Sequence, residues 1–378
     1  MVYDTRFPGR NSLILLLCIV SLGLAACVQV GGDVKKKMPP LVYPQPPDAP
    51  RFYYDWSIYG SASIEPLDRE QKLQLLLLGS TNSNNEGFRK PYSVAVNHGR
   101  VFVSDSIAKL VRVYDAPSRT YFTIGSAEEE NVEARLAKPM GLDTDGAGNL
   151  YVIDATERVV KVYSADGKFL RKMLDPADID RPASVTVEKS GERMYVVDIG
   201  GPLSQNHRVR VYNAQTGAHL FDFGKRGDGP GEFNLPRDVA INSGNGELYV
   251  VDGGNFRIQV FDRNGTFLRT FGSIGKQLGN FSRPKEIAID PAGNIYVVDA
   301  GFGNFQIFNP QGQLLMFIGQ RSNQDGPGLF SLPAGIAVDE DGRVYVVDQS
   351  FKKIDIFRPA ALGVSDGYLV KGKAIQSR

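Results

Sequence analysis

The sequence predicts an all-β fold, namely a six-bladed β-propeller whose blades contain four strands each. Three observations predict it. A short strand ending in aspartate occurs six times. The copies recur every 44 to 54 residues, a period typical of propeller blades. Each copy divides into short runs of β-branched and aromatic residues separated by turns, without a comparable run of helical period.

The repeated strand is Tyr-Val-Val-Asp or a close variant of it. Each final aspartate precedes a turn, where carboxylates accept backbone N–H groups. We therefore expect a turn-structuring role, rather than ligand binding, for the six carboxylates. They belong to Asp105, Asp154, Asp198, Asp252, Asp299 and Asp348.

The copy at 284–319 displays all four strands, "EIAI", "IYVVD", "FQIF" and "LLMFIG". The last copy ends at "IDIFRP" without a fourth strand, whereas "LQLLLLGS" at 73–80 stands unpaired before the first copy. We expect this N-terminal strand to complete the last blade and close the ring, which removes an exposed sheet edge. The alternative is a helix over 68–78, because Leu, Gln and Lys favour helices.

The N-terminus predicts a signal peptide over residues 1–26. Arg6 and Arg10 precede an apolar run at 13–26, which is short for a membrane-spanning helix. The run ends in Leu-Ala-Ala-Cys, which resembles the lipobox of bacterial lipoproteins and implies acylation of Cys27, with palmitate for example. The alternative is an ordinary secretory signal, or an N-terminal anchor, with a coincidental cysteine. Val28 follows the cysteine, which resembles the outer-membrane sorting pattern.

The expected organisation has four parts. A signal peptide covers 1–26, and a lipidated tether rich in Gly, Lys and Pro covers 27–51. The propeller covers 52–360 and a C-terminal tail 361–378. The expected location is the bacterial cell envelope, where the lipid would hold the protein on the outer membrane, facing the periplasm.

Charge and cysteine content exclude several classes of function. The chain has 43 basic and 42 acidic side chains, so no summed positive field attracts nucleic acid. Its two cysteines, Cys18 and Cys27, both lie near the N-terminus. The body therefore has neither a disulfide framework nor a thiolate metal site.

The repeats resemble the NHL-repeat family. The resemblance rests on Pro-x-x-(Val/Ile)-Ala before the first strand, on Tyr-Val-Val-Asp, and on Arg-(Val/Ile)-x-Val-Phe. The spacer "GDGPGEFNLP" at 227–236 is especially similar, and 325–333 echoes it. The resemblance implies the propeller but says little about activity, because propellers carry unrelated functions.

A candidate site lies where the inner strands begin. Two residues after the loop proline, the six copies read Ser93, Gly141, Ser184, Asp238, Glu286 and Gly335. The charges at this position and the one before it are Arg237, Asp238, Lys285 and Glu286. At a channel mouth the two carboxylates would bind a divalent cation or a polar ligand, and the two cations would steer an anion or neutralise the carboxylates. We favour instead ion pairing of these side chains with each other across the adjacent blades, which contributes little to stability.

Related six-bladed propellers include gluconolactonase-like hydrolases and the amidating lyase, which hold a metal at the channel. A lyase-type site needs several histidines, whereas His98, His207 and His219 occupy unrelated places in the repeats. The sequence also has no Gly-x-Ser-x-Gly elbow and no Gly-rich phosphate loop. No cofactor is therefore expected beyond a divalent cation at the two carboxylates.

The expected function is binding, without catalysis, of an envelope protein or another macromolecule through a loop face. The inserted loop 199–207 and the acidic segment 126–135 are the expected specificity elements, because binding residues gather on loops held by rigid scaffolds. The alternatives are an envelope hydrolase or lyase with a cation at the channel mouth, and an assembly scaffold.

Overall fold

The computed structural model describes residues 41–65, 86–201 and 203–369, together with Met1, Glu70, Leu73, Leu76 and Leu77. The predicted signal peptide, Cys27 and most of the tether lie outside these residues, as does the end of the tail. No helix within the described residues is long and apolar enough to cross a membrane.

The predicted six blades are present, and each is an antiparallel sheet whose strands follow one another from the centre outwards. Blade 1 contains Pro91–Asn97, Arg100–Asp105, Leu110–Asp115 and Thr120–Ile124. Blade 2 contains Pro139–Thr144, Leu150–Asp154, Val159–Tyr163 and Phe169–Met173. Blade 3 contains Pro182–Val187, Arg193–Asp198, Arg208–Asn213 and His219–Phe223.

Blades 4 and 5 repeat the pattern, and blade 6 combines both ends of the domain. Blade 4 contains Pro236–Ile241, Leu248–Asp252, Arg257–Phe261 and Phe267–Phe271. Blade 5 contains Pro284–Ile289, Ile295–Asp299, Asn304–Phe308 and Leu314–Ile318. Blade 6 contains Pro333–Val338, Val344–Asp348, Lys353–Pro359, Phe52–Ile58 and Val42–Tyr43.

Short elements occur in the loops. They are a parallel pair, Gln320–Arg321 with Leu329–Phe330, and the 3-10 helices Ser61–Ser63, Val132–Ala134 and Gly253–Asn255.

The hydrophobic core lies between the blades rather than at the centre of the ring. The described residues form six apolar clusters, and each cluster joins two neighbouring blades. Between blades 3 and 4, for example, Val211 and Phe223 share a cluster with Phe261. Because both faces of each blade are covered, the second strand of blade 2 is buried throughout, whereas the first four side chains of its outer strand alternate between half-buried and exposed.

The ring is closed by an N-terminal strand, but the predicted strand at 73–80 was wrong. Phe52–Ile58 pairs with Lys353–Pro359 and forms the fourth strand of blade 6. The described members of the leucine-rich stretch, such as Leu73 and Leu77, are helical. The physical reason is composition, since Phe-Tyr-Tyr-Asp-Trp-Ser-Ile favours a pleated, half-buried strand, whereas consecutive leucines with Gln and Lys favour a helix.

Two residues of the expected tether pair with the propeller. Val42–Tyr43 adds a fifth strand to the outside of blade 6 by pairing with Phe52 and Tyr53. At the other end, part of the predicted tail contacts the body, where the backbone N–H of Tyr368 donates to Asp341.

The two faces of the propeller differ, and they are named here by their loops. Each inner strand begins with a proline that lies opposite the aspartate ending the second strand, as Pro91 lies opposite Asp105. The face formed by the loops before these prolines and after these aspartates is called the proline face. The opposite face, formed by the tight turns after the first and third strands, is called the turn face.

A polar side chain in the third strand holds the loop that leads to each inner strand in blades 4 and 5. Gln259 is fully buried. Its Nε2 donates to the carbonyl of Glu232 (2.6 Å), and its Oε1 accepts from the N–H of Gly231 (2.9 Å). Gln306 makes the equivalent two bonds in blade 5. The loops of the proline face are therefore fixed by the blades beneath them.

Candidate functional site: the channel mouth and the proline face

The six inner strands surround a central channel. Each inner strand contacts the inner strand of the next blade, and blade 6 contacts blade 1. A cavity of about 140 Å³ lies between them, lined by residues such as Ser93, Thr186, Asp238 and Glu286. Tyr92, Arg237 and Lys285, one residue after the loop proline, precede this cavity at the proline face.

The positions two residues after the proline form the narrowest contact between strands. A side chain at Gly141 would meet the Cα of Ser184 at 2.5 Å, and one at Gly335 would meet the Cα of Ser93 at 3.0 Å. Glycine is required at both places because the backbones of neighbouring inner strands approach each other so closely.

Asp238 links three blades at this level. The side chain is 6% exposed. Its Oδ2 accepts the backbone N–H of Ile287 in blade 5 (2.9 Å), and its Oδ1 accepts that of Val239 (2.9 Å). The Ser184 hydroxyl of blade 3 donates to the same Oδ1. Both oxygens are therefore occupied by donors from the protein itself.

Glu286 makes the same kind of link further around the ring. Its Oε2 accepts the N–H of Ile336 in blade 6 (3.3 Å) and the hydroxyl of Ser93 in blade 1 (3.2 Å). The carboxylate thus reaches past one blade to the next. These bonds satisfy backbone groups at the edges of inner strands, which would otherwise face the channel without a partner.

Burial raises the pKa of both carboxyl groups. It raises that of Asp238 to about 6, although the bonds from Ser184 and from two N–H groups oppose the shift. Burial and then the charge of Asp238 raise the pKa of Glu286 well above its usual value. Taking a carboxylate from water costs free energy, and two neighbouring negative charges add to that cost.

The ion pairs considered between adjacent blades do not form within the described residues. The side chains of Arg237 and Lys285 have no ion pair there with Asp238 or Glu286. In the same part of the chain, no group of three or more His, Cys, Asp or Glu side chains is placed to hold a metal ion. The four charges at the mouth therefore divide into two buried acceptors and two cations without partners.

A third carboxylate in the channel, half-buried, could not be recognised from the sequence. Asp143, in the inner strand of blade 2, accepts the N–H of Val187 in blade 3 (2.9 Å) and lies 4.0 Å from the ammonium of Lys189. Burial raises its pKa, and Lys189 opposes the shift. Asp143 lies four residues after its loop proline, whereas Asp238 lies two residues after its own. Aligning the six copies at the second residue after the proline therefore could not identify Asp143.

The six aspartates that end the second strands are fully buried and bind backbone groups. In five blades the carboxylate accepts N–H bonds from both residues before the inner-strand proline, as Asp299 accepts from Ser282 (2.7 Å) and Arg283 (3.0 Å). In blade 4, Asp252 accepts from only one of the two residues before the proline, Asn234, and its carboxylate also pairs with Arg257 at 2.8 Å.

The three histidines lie apart. His98 is on the turn face, where its ring contacts that of Tyr368 at 4.8 Å. His207 is buried at the base of the inserted loop and accepts the N–H of Leu235. His219 is in an outer strand and contacts Asp222 at 2.7 Å.

The two predicted specificity elements both belong to the proline face. In the inserted loop 199–207, the hydroxyl of Ser204 donates to Asp180 (2.5 Å), and Leu203 is 93% exposed. In the segment 126–135, Asn131 caps the short helix Val132–Ala134. Each loop therefore has a fixed base and an exposed apolar residue.

Exposed large apolar side chains of the loops are segregated between the two faces. Five others lie on outer strands, at Leu170, Leu220, Leu268, Leu315 and Phe317. Within the described residues, the tight turns of the turn face carry no exposed large apolar side chain; Val364 and Tyr368 there belong to the C-terminal segment. The loops of the proline face carry seven. They are Tyr59, Ile107, Val132, Leu203, Leu235, Ile274 and Leu278.

Comparison with known proteins agrees with the repeat assignment. Residues 233–261 match the NHL repeat. The chain is 33% identical over 144 residues to human NHL repeat-containing protein 3, an alignment that covers 35% of this chain and 39% of that protein. It is 32% identical over 125 residues to chicken NHL repeat-containing protein 2, covering 31% and 16%. The chain thus matches less than half of the length of these relatives.

Solved structures share the fold at low sequence identity. A gluconolactonase from Xanthomonas campestris is similar with a TM-score of 0.54 and 16% identity, covering 72% of this chain and 86% of that one. A streptogramin B lyase is similar with a TM-score of 0.52 and 13% identity, covering 72% and 94%. At such identity the likeness extends to the fold alone. The chain is therefore a six-bladed β-propeller that contains an NHL repeat and is similar to NHL-repeat proteins.

Proposed function

We propose that this propeller is a binding module that engages a protein or another macromolecule through its proline face. The observation that carries the proposal is the distribution of exposed large apolar side chains among the described loops: seven lie in loops of the proline face and none in the tight turns of the opposite face. Exposed apolar side chains that gather on one surface, rather than being scattered over a molecule, mark interaction sites on soluble domains. NHL propellers are typical protein-binding scaffolds, which supports the same proposal.

The inserted loop 199–207 and the segment 126–135 are proposed as the specificity elements of this face. Both have a base that is held by hydrogen bonds, so their exposed residues are presented without a large ordering cost. Replacing 203–205 with a short Gly-containing turn, while His207 is retained for its bond to Leu235, should weaken binding without unfolding blade 3.

Site-specific photo-crosslinking tests the proposal. A photoreactive amino acid replaces Leu203 or Ile274 on the proline face, or Lys168 in a turn of the opposite face. Since Leu203 and Ile274 belong to the same face, we expect one shared crosslinked product from these two positions and none from Lys168. Products from all three positions, or from none, would contradict a dedicated binding face.

The lipid anchor is part of the proposal and rests on the N-terminal sequence. An acylated Cys27 would hold the body on the outer membrane of a bacterial envelope, facing the periplasm, with residues 28–41 as the connection. Labelled palmitate should enter the wild-type chain but not Cys27→Ser. Equal labelling of both chains, or of neither, would overturn this part of the proposal and leave the binding face untouched.

A hydrolase or lyase activity has no specific observation in its favour. Asp238 and Glu286 would need a third ligand for a divalent cation, and within the described residues none stands beside them. Both oxygens of Asp238 are also occupied by donors from the protein. The gluconolactonase and the lyase share the fold with this chain, and their chemistry is not proposed for it.

A further inference from the structure

Six cationic residues stand next to the loop prolines on the proline face, where the inner strands begin at the channel mouth. Four occupy the position before the loop proline and two the position after it, so that five of the six blades contribute. They are Lys90, Lys138, Arg181 and Arg283 before the proline, and Arg237 and Lys285 after it.

The fold places these residues at the mouth by one repeated contact. In four blades the buried aspartate accepts the backbone N–H of the cationic residue itself. The distances are 2.9 Å for Lys90, 2.8 Å for Arg181 and 3.0 Å for Arg283. The proline that follows then begins the inner strand at the channel. The aspartates at the ends of the second strands therefore fix the backbone of four of the six cationic residues.

The cations of this ring have no partners in the protein. Within the described residues, none of the six side chains forms an ion pair or a side-chain hydrogen bond. Other half-buried arginines are paired, unlike Arg237: Arg257 pairs with Asp252 (2.8 Å) and Arg269 with Glu247 (2.7 Å). The nearest carboxylates, Asp238 and Glu286, face other blades and accept their N–H and O–H groups.

Two of the unpaired cations are half-buried, and they lie close to others of the same sign. Burial, together with the neighbouring Arg283 and Arg237, lowers the pKa of Lys285 to about 8. Burial lowers the pKa of Arg237, and Arg181 and Arg283 add to the effect. Unpaired like charges held together destabilise a fold, and such arrangements are typical of functional sites.

The arrangement favours a compact acidic group over a nucleic acid. The cations form a ring around one point rather than a stripe along a face, and the chain as a whole is nearly neutral. Tyr92 is the single aromatic residue at the positions next to the loop prolines, so the mouth lacks the series of stacking platforms that single strands use. Carboxylates bind arginine and lysine through short, charge-assisted hydrogen bonds.

We propose that the mouth of the channel on the proline face binds an acidic segment of a partner protein, with the carboxylates of that segment held by Arg237, Lys285 and Arg283. The apolar side chains around the mouth contact the rest of the partner. This inference rests on the proposed function of the proline face and identifies the chemistry that the face recognises.

The test measures binding of a fluorescently labelled hexaglutamate peptide by anisotropy, at low and at physiological ionic strength. Three forms of the full chain are compared: wild type, Arg237→Gln/Lys285→Gln, and Arg119→Gln/Lys168→Gln. The last removes the same charge from two tight turns of the turn face, at residues without an ion pair within the described part of the chain. Thermal unfolding of each form shows that it is folded.

We expect binding to the wild type that weakens with salt, a loss of about tenfold or more in the mouth variant, and a change below about twofold in the control variant. Equal losses in both variants would mean non-specific attraction and would overturn the proposal. Preference for a single-stranded oligonucleotide over hexaglutamate, through the same two residues, would overturn it in favour of nucleic acid. Full displacement by inorganic phosphate at equal charge concentration would indicate a small-anion site instead.

The outcome is separable from that of the crosslinking experiment. If hexaglutamate fails to bind while Leu203 and Ile274 still give their shared product, the acidic-segment proposal is wrong and the binding face remains. If hexaglutamate binds at the mouth while crosslinks are absent, the proposed function of the face is wrong, and the site binds an acidic ligand of another origin.

Discussion

The aspartate that ends the second strand of a blade offers a quantitative test of how the repeats stabilise this fold. In blade 6 the buried side chain of Asp348 accepts four backbone N–H groups. Its Oδ2 accepts from Ser331 (2.7 Å) and Leu332 (3.0 Å), and its Oδ1 accepts from Ser350 and Phe351 (both 2.8 Å). Asp348→Asn replaces one acceptor oxygen with an amide that faces two donors.

The expected cost follows from these four bonds. A hydrogen bond to a charged group contributes about 1.5–3 kcal/mol, so losing the two bonds on one side costs roughly 3–6 kcal/mol in the free energy of unfolding. The variant should keep its shape, because Asn and Asp have nearly the same volume. The loss would come from unsatisfied buried N–H groups rather than from a cavity.

Urea unfolding, followed by the fluorescence of the single tryptophan, measures this cost. Trp56 lies in the same blade as Asp348, opposite Ile356, so its signal reports blade 6. Asp48→Asn is the matched control because Asp48 is exposed. We expect a clearly lower unfolding midpoint for Asp348→Asn and an unchanged midpoint for Asp48→Asn. Equal midpoints for the two variants would refute the assignment of a stabilising role to the buried aspartate.

Three further changes test the channel and the loops. The pKa of Asp238 is raised to about 6 in the folded protein. Between about pH 4 and about pH 6 the folded state therefore holds a proton that the unfolded state releases, and the free energy of unfolding falls as the pH rises through this range. In Asp238→Asn the slope of unfolding free energy against pH should be shallower over this range; an unchanged slope would contradict the assignment. The pKa of Lys285 is lowered to about 8, so wild-type stability rises from about pH 8 to about pH 10.5. Lys285→Gln should lack this rise and be more stable at pH 7, by on the order of 1–3 kcal/mol; a lower unfolding midpoint would contradict the expectation. Gln259→Leu should cost about 2 kcal/mol in urea unfolding, because the N–H of Gly231 loses its acceptor and the carbonyl of Glu232 loses one of its two donors; a neutral result would mean that water replaces the side chain.

The blade architecture could be predicted from the sequence because each repeat contains both strand-forming runs and turn-forming residues. The aspartate at the end of the second strand and the proline at the start of the first lie opposite each other in the sheet. A local pattern of this kind is visible in any one copy. The closing strand has no such pattern, since Phe52–Ile58 lacks the sequence of the other fourth strands, and its partner lies about 300 residues away.

The position of the candidate site was predictable, whereas its contacts were not. Alignment of the copies placed Asp238 and Glu286 at one level of the ring, and in the structure both line the channel. Both carboxylates bind backbone N–H groups of other blades. Every residue except proline has such a group, so the sequence does not show which of them the carboxylates bind. The cations before the prolines were readable in the same alignment, as at Lys90 and Arg283, but only the structure places them beside Arg237 and Lys285.

The closure of the ring has a consequence for how the chain folds. The hydroxyl of Ser57 donates to Asp355 (2.5 Å), which is one of the most distant contacts in sequence that the molecule makes. During synthesis, Phe52–Ile58 emerges long before Lys353–Pro359 exists, so its pairing edge stays open while five blades are made. Loop closure over such a distance is slow, and an open strand edge invites association with other chains. Completion of blade 6 is therefore the late, committing step of folding, and a chain truncated before residue 353 would remain an open ring.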